Sequence, residues 1–96
     1  PMSLIDALPY PMGAAAVRSL TDSDRIVEAH HEVIAQRSGT EVVPALLITT
    51  ETRAYAVVED REAERYRVLA SGDRDDRETV YAELREWATE QGYGGP

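Results

Sequence analysis

Lysine, cysteine and phenylalanine are all missing from this chain. Without Cys there is no disulfide framework, no thiolate zinc site and no thiol nucleophile. Without Lys, all ten basic residues are Arg; they face 18 acids, and the formal net charge is -8. A surface this acidic repels phosphate backbones, which argues against nucleic acid as a partner. No run of 18 apolar residues occurs, so a membrane span is not expected. No basic segment leads into an apolar stretch near the start, so a secretory signal is not expected either, and the cytoplasm is the expected compartment. Large apolar side chains are also scarce. Val, Ile and Leu number 20 in 96 residues, near the lower bound for an ordered core. Thirteen Ala do part of the filling, so the core should be thin and extended by a partner chain.

The acid excess, with Arg and Ala rich and Lys absent, resembles the composition of halophilic proteins, in which carboxylates hold water and ions. That resemblance implies a salt-rich cytoplasm. A GC-rich genome gives the same Arg and Ala bias, so the two readings stand side by side.

Along the chain, residues 1–13 read as an extended arm. Pro9-Tyr10-Pro11 favours polyproline-like backbone, with room for one short turn at Ser3–Leu8. Residues 14–38 read as helical. Ala14–Leu20 is rich in Ala, and Thr21, followed by Asp22 and Asp24, has the form of an N-cap with acids in the first turn. At about 100° per residue Ile26, Ala29, Val33 and Ile34 share a face, and Gly39 is the stop. Residues 43–71 read as a three-stranded antiparallel meander: Pro44 marks the first strand, Ala45–Thr50 is an apolar run, Arg53–Glu59 is rich in β-branched residues, and Tyr66–Ser71 alternates. Residues 75–91 read as a C-terminal helix, capped by Asp75 or Asp76, with Val80, Leu84, Trp87 and Ala88 as its apolar stripe and Tyr81 at the edge. Residues 92–96 should fray.

The expected architecture is therefore a single α+β domain over 1–96, an arm followed by α-β-β-β-α. That order is also the order of double-stranded RNA-binding domains, but Asp75-Asp76-Arg77-Glu78 reverses the charge with which those clamp phosphate. Two helices cover one face of a three-stranded sheet. The other face keeps Val, Ala, Leu or Tyr whichever way the strands are turned, so a two-fold homodimer through that uncovered face is expected.

Few residues carry chemistry. His30 lies near the centre of the helical stripe, with His31 at its edge, and the two diverge too far to hold one metal. No metal or cofactor motif occurs, and no catalytic set assembles from sequence. Pro1 matches the N-terminal proline base of the tautomerase superfamily, but Met2–Met12, with two further prolines and an Asp, does not continue that pattern. Tyr55 and Tyr66, on neighbouring strands, could stack and mark a contact patch, so His30, Tyr55 and Tyr66 are the candidate ligand-binding residues. Arg53, Arg65 and Arg67 would need to line up for a nucleic-acid accessory role. The reading that follows is a non-enzymatic protein acting by protein–protein association. The alternative is a small-ligand-binding or enzymatic domain with a pocket around His30.

Overall fold

Residues 45–48 are apolar on both sides, and they are paired on both edges: Leu47 lies opposite His30 on one flank and Ala56 on the other. This run is the middle of the sheet in the computed structural model of the chain, which describes residues 3–93. The described residues form strands β1 (Glu28–Arg37), β2 (Thr40–Thr49), β3 (Arg53–Asp60) and β4 (Arg65–Asp73), joined in that order as an antiparallel meander. Helix α1 (Ala14–Ser19) precedes the sheet and α2 (Arg77–Glu90) follows it, with short 3-10 turns at Ile5–Ala7, Leu20–Asp22 and Arg74–Asp76. The α+β class is as read from sequence, but the sheet has four strands rather than three.

The extra strand comes from the segment expected to be helical. Helix stops at Ser19, and the Thr21 hydroxyl, instead of capping forward, donates back to the Arg18 carbonyl at 2.8 Å. The Ser23 carbonyl then accepts from Ile26, and Val27 donates to the Thr49 carbonyl at 2.8 Å, which starts the β1–β2 ladder. At the far end Gly39 is not a helix stop. Ser38 and Gly39 have φ of 53° and 80°, the left-handed pair of a two-residue hairpin turn. Ten residues of β1 thereby gain a long apolar partner strand, and that pairing outweighs a modest local helix preference. Strand β1 is not regular, with register shifts between His31 and Val33 and between Val33 and Ala35.

Pro44 lies inside β2, not at its start. Having no N–H, it sits where pairing with β3 has ended and the β1 register skips from Val33–Ala45 to Ala35–Val42, a break of the kind proline tolerates. The neighbouring Val43 amide donates to the Met12 carbonyl at 2.7 Å. The arm is tied into the sheet at this point.

Both sheet faces are covered. On one, Val80 and Leu84 of α2 pack on Ala45, Leu47, Ala54, Ala56 and Val58. The alanines keep that face low, and Gly72 lets α2 come close: a Cβ there would meet Val80 Cγ2 at 3.4 Å. On the other face, Ile5, Met12, Val17 and Ile26 pack on Val43, Leu46, Ile48, Val57 and Tyr66. The face expected to be bare is thus closed by the chain's own residues 5–26, and the surface on which the dimer expectation rested is gone. The core is thin in large side chains because it is split into two layers about one sheet.

At the C-terminal end, Asp76 occupies the N-cap of α2 without a side-chain cap hydrogen bond, and β4 runs on to Asp73, past the expected strand end at Ser71. Of the tail expected to fray, Tyr93 is held: its amide donates to Ala88 and its ring lies 6.0 Å from that of Trp87. Residues 94–96, and Pro1 with its tautomerase expectation, lie outside the described residues.

Candidate binding groove

The 3-10 turn Ile5–Ala7 packs against β4 and leaves a groove beside it. The groove, of roughly 370 Å³, is lined by Leu4, Ile5, Asp6, Tyr55 and Val68, with Arg25, Arg65 and Arg67 around them. A second depression of roughly 330 Å³ shares Leu4, Arg25 and Tyr55 and continues to Arg53, Asp24 and Glu51. Each arginine arrives by a different route. Arg65 and Arg67 come from edge strand β4, and Arg53 begins β3. Arg25 lies in the link before β1, fixed by its amide donating to the Ser23 hydroxyl at 3.2 Å.

The first stretch of the groove carries three Arg and one acid, in a protein whose net charge is -8. Arg65 is paired with Asp6 at 2.7 Å and Arg53 with Asp73 at 3.1 Å, both in the open. Such exposed pairs are weak and exchange readily. Arg25 and Arg67 have no ion-pair partner among the described residues. Beneath them Tyr55 is half-buried, and Val68 is 40% exposed, one of three large apolar side chains left open. The continuation toward Arg53 is neutral, since Asp24 and Glu51 balance Arg25 and Arg53.

The residues singled out from sequence are dispersed. Tyr55 belongs to the groove. Tyr66 does not stack with it: Tyr55 lies opposite Ser71, Tyr66 lies opposite Glu59, and Tyr66 is buried. Its ring meets Tyr10 edge-on at 5.3 Å, while its hydroxyl accepts from the Met12 amide and donates to the Val43 carbonyl at 2.8 Å. Burial pushes the Tyr66 phenol up to about 12 by disfavouring the phenolate. His30 is no helical core residue. It is exposed on β1, 6.0 Å from the Tyr81 ring, in a separate depression of roughly 270 Å³ with Glu28, Leu47, Arg77 and Glu78. Tyr81 donates to Glu32, and that hydrogen bond raises its pKa. His31 stands parallel to His30 with ring centroids 6.1 Å apart.

Near the turn from β3 to β4, opposite Tyr66 and one register position from Arg65, Glu59 is buried. Arg37 grips it with both terminal nitrogens, Nη1 at 2.8 Å from Oε2, while Tyr10 donates to the same oxygen at 3.2 Å. Arg37 also donates to the Tyr93 hydroxyl. The hydrogen bonds to Glu59 hold the guanidinium protonated still more firmly than usual. This network joins β1, β3, the arm and the tail. It serves the fold.

Sequence reasoning had grouped Arg53, Arg65 and Arg67, and it missed Arg25, which a continuous helix from Thr21 would have placed elsewhere. The Arg65-x-Arg67-Val68 pattern on an edge strand was the available signal.

Among the described residues no three His, Asp or Glu side chains converge as metal ligands, and no helix is long and apolar enough to cross a membrane. Residues 4–90 match a family described as Domain of unknown function (DUF7964). No curated protein matches the chain, and neither does any solved structure.

Proposed function

We propose that this chain, which belongs to the family described as Domain of unknown function (DUF7964), is a non-catalytic association module that receives an acidic part of another protein in the arginine-lined groove. The carrying observation is the convergence of Arg25, Arg65 and Arg67 about Tyr55 and Val68 on an otherwise acidic molecule. Guanidinium groups are permanent donors with no proton to give up at neutral pH, so the groove suits recognition rather than proton transfer. A charged rim around an aromatic and aliphatic floor is the usual anatomy of a contact site. The acidic, lysine-free composition supports a salt-rich cytoplasm as the setting.

The test is an NMR titration with short peptides rich in Glu or in Lys, read at the Arg25 and Tyr55 resonances. The Glu peptide should shift them, and Arg25→Glu should weaken binding about tenfold. No shift, or an equal response to the Lys peptide, overturns the reading.

A second reading, a small-ligand site at His30, is favoured by the depression in which His30, Arg77 and Tyr81 meet. Its test is a titration with citrate and inorganic phosphate: saturable shifts at His30 and Tyr81, lost in His30→Ala, support it, and their absence removes it.

A further inference from the structure

We infer that the acidic partner segment binds in extended form, as a fifth strand added to the free edge of β4. The inference rests on the groove reading above and extends it from a charge match to a backbone geometry. Strand β4 is nine residues long, contains no proline, pairs only with β3 among the described residues, and carries a single register shift, between Val68 and Ala70, that leaves Arg65–Val68 in regular pairing. Alternate N–H and C=O groups on its outer side are therefore open to another chain. The other edge, β1, is a poorer template, broken by two register shifts within ten residues.

Edge strands are commonly defended by charge, and Arg65 and Arg67 do defend this one against neutral or basic strands. The same charges select an acidic strand. Residues two apart on a strand lie on one side, about 6.8 Å from each other. A segment of the form acid-x-acid would bring one carboxylate to each of Arg65 and Arg67, which leave β4 on the face opposite Val68 and line the edge of the groove. The intervening side chain of that segment falls on the opposite side of the new strand, the side of Val68, which is 40% exposed. The chemistry recognised is thus an extended, proline-free stretch in which acids alternate with apolar residues, supplied by a different protein. Such strand addition takes affinity from main-chain hydrogen bonds and specificity from alternate side chains.

The experiment uses the whole chain, isotope-labelled, and a capped peptide alternating Glu and Val. Alternate β4 amides between Arg65 and Val68, before the register shift, should gain protection from hydrogen exchange by tenfold or more on saturation. A peptide N-methylated at every second residue keeps the charges but loses half its donors, and it should bind at least tenfold more weakly. The exposed double substitution Arg65→Glu with Arg67→Glu should abolish binding of the Glu-Val peptide; Arg67→Gln, the milder variant, should weaken it several-fold. If Arg25 and Tyr55 shift without any protection of β4, strand addition is overturned while the groove reading stands. If nothing shifts, both fall. Full affinity of the N-methylated peptide, or equal binding of a single-stranded RNA oligonucleotide, also overturns the inference.

Discussion

Arg37, the last residue of β1, and Glu59, near the end of β3, form a two-pronged ion pair across the end of β2. The two side chains differ in burial, at 23% exposed for Arg37 and 3% for Glu59, and that difference decides which partner matters more. Arg37→Ala strands a buried carboxylate, whereas Glu59→Gln leaves a guanidinium that still reaches Tyr93 and solvent. Breaking a buried pair from the side that leaves the deeper charge costs about 3–5 kcal/mol. Arg37→Ala should lie in that range and Glu59→Gln should cost roughly half as much, measured by urea unfolding. The reverse order would mean the carboxylate is better hydrated than its burial indicates.

Alkaline stability turns on Tyr66. Its phenol titrates near 12 in the fold, against about 10 in the unfolded chain. A folded pKa above the unfolded one gives stability that is complete below pH 10 and lost as the pH rises through 12. Within that window the slope approaches about 1.4 kcal/mol per pH unit. Tyr10 and Tyr81, also raised, steepen it. Tyr66→Phe should cost about 1–2 kcal/mol at neutral pH through the lost contacts to Met12 and Val43 and should flatten the alkaline fall. An unchanged slope in Tyr66→Phe would assign the effect to the other tyrosines.

Thr49 is buried in the sheet, and its hydroxyl finds no hydrogen-bond partner among the described residues. Thr49→Val keeps the shape and removes the orphaned group, so it should raise stability by about 1 kcal/mol. A loss of stability on this substitution would point to an ordered water bonded to Thr49 Oγ1.

With a net charge of -8, repulsion among carboxylates works against the compact state until salt screens it. The melting temperature should climb with KCl well past 0.15 M, a level at which the Debye length is already about 8 Å. A flat profile would remove the salt-adapted reading. The same samples give the mass in solution. With both sheet faces closed, sedimentation should report the 10.6 kDa chain, and a value near twice that would restore self-association through some other surface.

Much of the fold could be read from local pattern because the elements concerned are locally determined. The stripe of Val80, Leu84 and Ala88 is buried in α2 as its spacing implies, and the short turn within Ser3–Leu8 and the Ala-rich helix after Gly13 are both present. The segment before Gly39 was misread because its apolar residues suit a helix face as well as a bulged edge strand. Only its partner, the apolar run 45–48, decides between them. Trp87, the remaining member of the α2 stripe, is half-buried, packed against the same layer as Val80 and Leu84 and beside Tyr93. The site was legible as far as its strand arginines. Arg25 was not, since its place depends on a chain reversal at Ser23.

The closure of one sheet face by residues 5–26 has a consequence for how the protein is made. The side chains that Ile5, Met12, Val17 and Ile26 pack against lie between Val43 and Tyr66. On a ribosome these four emerge before the residues they pack against and wait for them. Until then they form an open apolar strip on a nascent chain, the kind of surface through which neighbouring chains stick together. Synthesis, more than the finished molecule, is where this protein is most exposed to aggregation.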